Sequence, residues 1–380
     1  MDKKIKICQV ITQTHFGGAQ KYICDISNNL GPDFEITIAY GEGNEQELNQ
    51  YIKTNVPVRF YKLKYLKRNI NLFFDKLALW ELFFFFKKNK FNVIHLHSSK
   101  AGFLASIAGK LAGIKKIIYT AHGWVFKENL NFVKKILYTF LEKFGAKFKD
   151  KIICVSQNDY DLALSKKITK KEKLELIYNG FQLTTEFFKT NDARRFLFNQ
   201  IQIPDNGEKI IGTISNLYKN KGIEYLIESA KILNEKKRNL IFIVIGSGSE
   251  EKNLKNLVQK LQIKNFHFLG QINNASRYLK AFEIFTLTSI KEGLPYTLIE
   301  ALYARIGIVC SDLESLSEII LNGQNGVVFE PKNTTKLVYA IESILNNLEF
   351  TKKIKDNNNL TLSKFDFGTF ISKIKENYTM

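Results

Sequence analysis

Cysteine is scarce in this 380-residue chain, and its four copies, Cys8, Cys24, Cys154 and Cys310, stand far apart. Such spacing excludes a CxxC metal site and a disulfide framework; Cys8 and Cys154 fall inside apolar runs and read as small buried hydrophobes of a reducing compartment. Long apolar stretches are missing as well. Leu77 to Phe86, the longest, is broken by Glu81 and falls short of a bilayer span. The N-terminus, Met-Asp-Lys-Lys-Ile-Lys, runs into a short apolar stretch ending at Gln13 and offers no small-residue cleavage site, so it reads as the first strand of a cytoplasmic protein. There is no repeat of solenoid period. Homeodomain, zinc-finger and RNP-type patterns are absent and the lysines are spread along the whole chain, which argues against a nucleic-acid partner.

What is present describes a folded protein with two domains. Hydrophobic residues make up 45% and charged residues 24%, which is ordinary for a globular chain, and the length suits two units, each with its own core. The 56 Lys plus Arg against 37 Asp plus Glu give a net charge of +19, so an anionic partner or surface is expected.

Short apolar runs alternate with segments of helical period, the pattern of parallel sheets built from βαβ units. In the first half the strand candidates are Ile5–Val10, Glu35–Tyr40, Val58–Tyr61, Val93–Leu96, Lys116–Thr120, Ile152–Val155 and Leu174–Tyr178. The second half restarts with Ile210–Ile214, Leu240–Ile245, Phe266–Leu269, Ile284–Thr288 and Ile306–Ser311. Between them, Asn179 to Glu208 lacks a clean strand and holds the turn cluster Pro204-Asp205-Asn206-Gly207, which places the hinge there. The expected fold is therefore α/β, two Rossmann-like doubly wound domains facing across a cleft. They run over 1–182 and 183–364, with a C-terminal helix at about 365–380 packing back on the first.

Ligands of open α/β sheets bind beyond the carboxyl ends of the strands, and every motif below follows a predicted strand. Thr14-His15-Phe16-Gly17-Gly18-Ala19-Gln20 leads into a helix expected from Lys21; paired glycines let backbone amides approach a ligand at a helix N-terminus, although the full G-x-G-x-x-G fingerprint is missing. His95 and His97 lie on one side of the fourth strand and read as a polar cleft wall, since a metal site would need further ligands. Thr120-Ala121-His122-Gly123-Trp124 sets an imidazole at a strand end, which makes His122 the leading candidate for contact with a substrate. Ser156 and Asn179-Gly180 close the next two strands and suit a helix cap or a turn.

In the second half, Asn216, Lys219 and Lys221 precede a helix from Ile223, where lysines and helix N-terminus together suit a diphosphate. Gly246-Ser247-Gly248-Ser249 is a further glycine turn. Lys291-Glu292-Gly293-Leu294-Pro295 then enters another helix; Gly293 keeps the loop thin so that its amide and that of Leu294 reach a ligand oxygen, and Pro295 suits the first turn. Glu292 lies in the loop and Glu300 roughly two turns into the helix. Carboxylates accept hydrogen bonds from sugar and ribose hydroxyls, so the pair is expected to grip opposite ends of one nucleotide sugar.

This ordered set, from Gly17-Gly18 through His122 and Lys221 to Glu292-Gly293-Leu294-Pro295, Glu300, Ser317-Glu318-Ile319-Ile320 and Asn325-Gly326, resembles the retaining glycosyltransferases of GT-B fold known as family 4. The resemblance implies that the glycine loop lies beside donor and acceptor, that His122 contacts the transferred sugar, that Lys221 binds the diphosphate, and that Glu292 and Glu300 meet the sugar and the ribose. It implies transfer from a UDP-sugar with retention, with no cofactor and no bound metal, since protein cations stabilise the departing diphosphate. Asn216 departs from the pattern, because most members carry an arginine there; Lys219 is the candidate to compensate. Asp159-Tyr160-Asp161 spells the metal motif of the other major sugar-transferase fold but sits in an amphipathic helix, where it reads as surface.

The implied setting is bacterial surface polysaccharide synthesis, with a saccharide or polyprenyl-diphosphate-linked acceptor. Lys62, Lys64, Lys67, Arg68, Lys87, Lys88 and Lys90 surround Phe73, Phe74, Leu79, Trp80 and Phe83 to Phe86, a composition that suits peripheral attachment to the anionic inner face of the cytoplasmic membrane. A sugar-nucleotide epimerase of the same fold and a non-catalytic nucleotide-sugar or polyanion-binding protein remain as alternatives.

Overall fold

The computed structural model describes residues 4–15, 17–127, 130–183, 186–236 and 239–379. Phe16 of the glycine loop, Thr184 and Thr185 of the hinge segment, and the chain ends at 1–3 and 380 lie outside the described residues.

The chain forms two compact units, one comprising the residues up to Gly180 together with those from Phe367, the other running from Phe181 to Asp366. The first unit holds β1 (Ile5–Gln13), β2 (Phe34–Glu42), β3 (Val58–Lys62), β4 (Val93–Leu96), β5 (Lys116–Ala121), β6 (Lys151–Cys154) and β7 (Leu174–Leu176). They make one sheet in the order β3-β2-β1-β4-β5-β6-β7, parallel at each pairing. The second unit holds β8 (Lys209–Ile214), β9 (Leu240–Ile245), β10 (Phe266–Phe268), β11 (Ile284–Leu287), β12 (Gly307–Ser311) and β13 (Val327–Phe329), in the order β10-β9-β8-β11-β12-β13 and again parallel. Each of the twelve expected strands is present. The thirteenth, Val327–Phe329, is three residues long, too short for any period to stand out.

Parallel sheets are covered on both faces, so their strands read as unbroken apolar runs; Leu-Ile-Phe-Ile-Val-Ile of β9 is buried at every position. The cover in the first unit comes from α1 (Gly18–Asn29), α2 (Gln46–Asn49), α3 (Leu72–Asn89), α4 (Ser99–Ala112), α5 (Phe132–Ala146) and α6 (Gln157–Ser165). In the second it comes from α7 (Thr190–Ile201), α8 (Ile223–Glu235), α9 (Glu251–Lys260), α10 (Tyr296–Ala304), α11 (Thr334–Asn346) and α12 (Leu348–Asp356). Side-chain caps mark several helix starts: Asn71 accepts from the amides of Phe73 and Phe74, Asn131 from that of Lys134, and Ser156 from that of Asp159. α1 begins at Gly18, three residues earlier than its apolar period suggested.

The last helix, α13 (Phe367–Thr379), belongs to the first unit. Phe370, Ile371, Ile374 and Tyr378 are buried in the cluster that Ile7, Tyr22, Ile36 and Ile118 form on one side of the first sheet. Gly180 makes this possible, for a Cβ there would lie 2.8 Å from the Cβ of Phe370 and 2.9 Å from the Cα of Phe367. Where the sequence permits any turn residue at Gly180, the returning helix requires glycine.

Gly180→Ala is expected to destabilise the protein by roughly 1–3 kcal/mol, the usual effect of overpacking, read as a lower urea midpoint. An unchanged midpoint would mean that α13 is not seated as described.

Candidate active site

The carboxyl edge of the first sheet carries four of the motifs. Its strand order reverses between β1 and β4, and the end of β1 is tied to the loop after β4: Thr12 Oγ1 and Ser98 Oγ lie 2.5 Å apart. Gly17 caps α1 with no side chain, and the Gln20 side chain donates to the Gln13 carbonyl at 2.9 Å, closing the loop. Gly17 and Gly18 are exposed there.

His95 and His97 are not a cleft wall. Both are buried, at 0% and 2% exposure, because the face of β4 that they share packs on Tyr22 and Tyr378. Polar groups in that position must satisfy one another, and they form a continuous chain. Gln9 Oε1 accepts from His97 Nε2 at 2.5 Å while Gln9 Nε2 donates to the Tyr378 hydroxyl at 3.3 Å. The Tyr378 hydroxyl donates in turn to His95 Nδ1 at 2.6 Å, and His95 Nε2 donates to Thr120 Oγ1 at 2.7 Å; Thr120 Oγ1 and the Tyr22 hydroxyl lie 3.2 Å apart.

His122 ends this chain. With His97 protonated on Nε2, its Nδ1 is a lone pair, and His122 Nε2 donates to it across 3.4 Å. The His122 ring also stands edge-on to Tyr22, with centroids 4.9 Å apart. One tautomer is thereby favoured, leaving Nδ1 of His122 as an acceptor. Loss of hydration disfavours the imidazolium throughout: the pKa of His122 falls to about 3, and those of His95 and His97 lie well below their ordinary value.

Asp159 also differs from expectation. Instead of a surface residue it is 5% exposed; its carboxylate pairs with Lys127 at 3.3 Å and its carbonyl accepts from the Trp124 indole at 2.8 Å. This fastens α6 to the loop after His122. Asp161, two residues on, is exposed.

In the second unit the strand order reverses between β8 and β11, the position where doubly wound sheets open a crevice. Lys221 follows β8 and Glu292 follows β11. They meet: Lys221 Nζ lies 2.6 Å from Glu292 Oε1, the same oxygen accepts from Ser289 Oγ at 2.6 Å, and Ser315 Oγ donates to the Glu292 carbonyl at 2.9 Å. The two loops are stitched by Ile290 N donating to the Asn220 carbonyl and Thr288 Oγ1 donating to that of Lys221. Lys221 therefore turns to the glutamate, whereas Lys219 and Asn216 are exposed. Gly246, at φ +142, brings the loop after β9 against the same place, since a Cβ there would meet the Ser215 carbonyl oxygen at 2.0 Å. Gly293 is exposed and Leu294 half-buried, with Pro295 as the cap of α10. Glu300 is the fifth residue of α10, about one turn into the helix where two were expected. Among the described residues no three His, Cys, Asp or Glu side chains could hold a metal ion.

The family profile "Glycosyltransferase Family 4" matches residues 16–185, and "Glycosyl transferases group 1" matches 194–360. A 41.2 kDa protein of the cps region of Klebsiella pneumoniae is 30% identical over 68% of this chain and 70% of its own length. The chain belongs to the family 4 glycosyltransferases. Over 99% of this glycosyltransferase and 97% of the relative, it is 27% identical to the Escherichia coli UDP-Gal:alpha-D-GlcNAc-diphosphoundecaprenol alpha-1,3-galactosyltransferase. Its fold matches the crystal structure of Anabaena HepE in complex with UDP, with a TM-score of 0.80 and 19% identity over 98% of each chain. Both units thus have the architecture of a GT-B transferase, and the protein is a transferase enzyme.

The three histidines make stability pH-dependent. They stay neutral in the fold, whereas the unfolded chain takes up protons below the ordinary pKa of 6.5, so stability is complete above that pH and falls as pH drops from 6.5 toward 3. Each histidine adds a slope of up to about 1.4 kcal/mol per pH unit. Urea midpoints measured from pH 7.5 to 5 should fall with acid, and imidazole NMR signals at pH 5.5 should be those of neutral rings. A flat profile with a protonated His122 would overturn the network.

Proposed function

We propose that the enzyme transfers a sugar from a UDP-sugar, with retention at the anomeric carbon, to a polyprenyl-diphosphate-linked saccharide in the assembly of a bacterial surface polysaccharide. The observation that carries this is the Lys221–Glu292 pair at the switch point of the second sheet. A cation and a carboxylate joined there suit a ligand that is anionic at one end and hydroxylated at the other. UDP as carrier and a lipid-linked acceptor are supported by the E. coli relative, whose name specifies both.

In this reading the ammonium of Lys221 turns from Glu292 to the diphosphate, helped by Lys219 and the amides of Gly293 and Leu294, and Glu292 is freed to accept from the sugar hydroxyls. Glu300 accepts from the ribose hydroxyls, and the Gly246 loop lies against the nucleotide. Gly17 and Gly18 border donor and acceptor, and the Nδ1 lone pair of His122 accepts from a hydroxyl of the transferred sugar. The anomeric carbon loses its bond to the phosphate oxygen and gains one to the acceptor oxygen, whose proton leaves toward the departing diphosphate. Negative charge grows on that leaving group, so Lys221 stabilises the transition state more than the ground state without a bound metal. Asn216 stands where an arginine would share this charge.

The pairing separates the roles experimentally. Lys221→Ala should abolish the rise in Tm caused by UDP, because that rise reports binding to the native state. Glu292→Gln should keep the UDP-induced rise and lower transfer by about 100-fold or more. Wild-type transfer in both variants would reject the assignment. Product anomers read by NMR test retention, and release of an epimer without acceptor would favour epimerisation instead.

A further inference from the structure

Among the described residues no helix is long and apolar enough to cross a membrane, yet the first unit exposes an uncommon amount of apolar surface. Helices of globular proteins turn their apolar stripe inward. α3 does so in part, burying Ala78, Leu82, Phe85 and Phe86 while Phe73, Trp80 and Phe84 stay exposed. α5 does the reverse. Phe132, Val133, Ile136, Leu137, Phe140 and Phe144 follow one another along a single side of the helix at 77%, 73%, 54%, 49%, 62% and 38% exposure. What holds α5 to the body is its last turn, where Glu142, Gly145 and Ala146 are buried and Glu142 pairs with the buried Lys149 at 3.3 Å.

Charge accompanies this stripe. Lys134, Lys135, Lys143 and Lys147 flank it, and the one acid of the helix, Glu142, is taken by Lys149. The apolar residues Phe132, Ile136 and Phe140 line an open groove of about 500 Å³ together with Lys135, Lys143 and Lys166. Position matters as well. α5 runs back from the end of β5 to the start of β6, so its exposed first turns lie at the carboxyl edge of the sheet, the edge that carries His122. The start of α3 lies at that edge too, with Ile70, Leu72 and Phe73 at 60%, 85% and 69% exposure and Lys67 over the Phe74 ring.

We propose that the outward stripe of α5, with the start of α3 beside it, seats this enzyme on an anionic lipid surface. The apolar side chains enter the boundary between headgroups and acyl chains, the lysines meet lipid phosphates, and the edge bearing His122 faces the headgroups. Basic and large apolar residues on one exposed helix fit this occupant, because a water-soluble partner would not call for lysines along the rim of an apolar stripe and acidic lipids do. The lipid-linked acceptor of the previous section gives the seat its purpose; the seat itself rests on the surface alone.

Flotation with vesicles of phosphatidylglycerol and phosphatidylcholine tests it. Wild type should bind at low salt, release progressively as salt rises, and bind vesicles of phosphatidylcholine alone about 10-fold less or weaker. The double variant Phe132→Ser/Phe140→Ser should lose about 10-fold or more in partitioning while keeping the wild-type Tm and its rise with UDP. Lys134→Glu/Lys135→Glu should weaken binding to the anionic vesicles only. Wild-type partitioning in both variants overturns the proposal, as does a dimer in solution that the serine variant dissolves without any vesicle binding. Vesicle binding by wild type together with transfer to soluble saccharides only would reject the lipid-linked acceptor and leave the seat standing.

Discussion

Sheets made wholly of parallel strands and covered on both faces leave polar chemistry nowhere to emerge but at the strand ends, and both units of this protein obey that constraint. Gly17-Gly18 and His122 emerge at one carboxyl edge, and Lys221, Gly246 and Glu292 at another. At each edge the segments flanking the reversal of strand order are held by direct hydrogen bonds, Thr12 at the end of its strand to Ser98 in the first unit and Ile290 to the Asn220 carbonyl in the second. The short distances at Glu292 follow from this arrangement, since a carboxylate placed beside a lysine in a half-covered loop accepts from Lys221 and Ser289 together.

The first unit solves a different problem. Three histidines, a glutamine, two tyrosines and a threonine share space that hydrophobic residues usually fill, and each is satisfied by the next. A network of this kind is costly when incomplete and directional when complete. Its direction runs from His122 inward to Tyr22, so the state of the one half-exposed ring is set by residues that no solute touches. His122 is presented as a neutral acceptor by the protein interior.

Much of this was readable from residue order. The apolar runs marked twelve strands because burial on both faces removes polar residues from them, and the strand-end position of His122, Lys221 and Glu292 followed from the same rule. What escaped depended on contacts between distant parts of the chain. The depth of His95, His97 and Asp159 is decided by Tyr378, Tyr22 and Trp124, none of which is near enough in sequence to show in a local pattern. The orientation of α5 escaped for another reason. Its apolar period is the same whether the stripe faces inward or outward, and only the assembled fold tells which.

The position of α13 has a consequence for how the protein is made. The residues that complete the interior of the first unit follow the whole of the second in sequence, so a growing chain with its second unit already emerged still lacks the Tyr378 hydroxyl that joins Gln9 to His95. Maturation therefore runs against the order of synthesis: the first unit closes only after the second has been made. A change in the seating of α13 reaches, through the single side chain of Tyr378, into the hydrogen bonds behind His122.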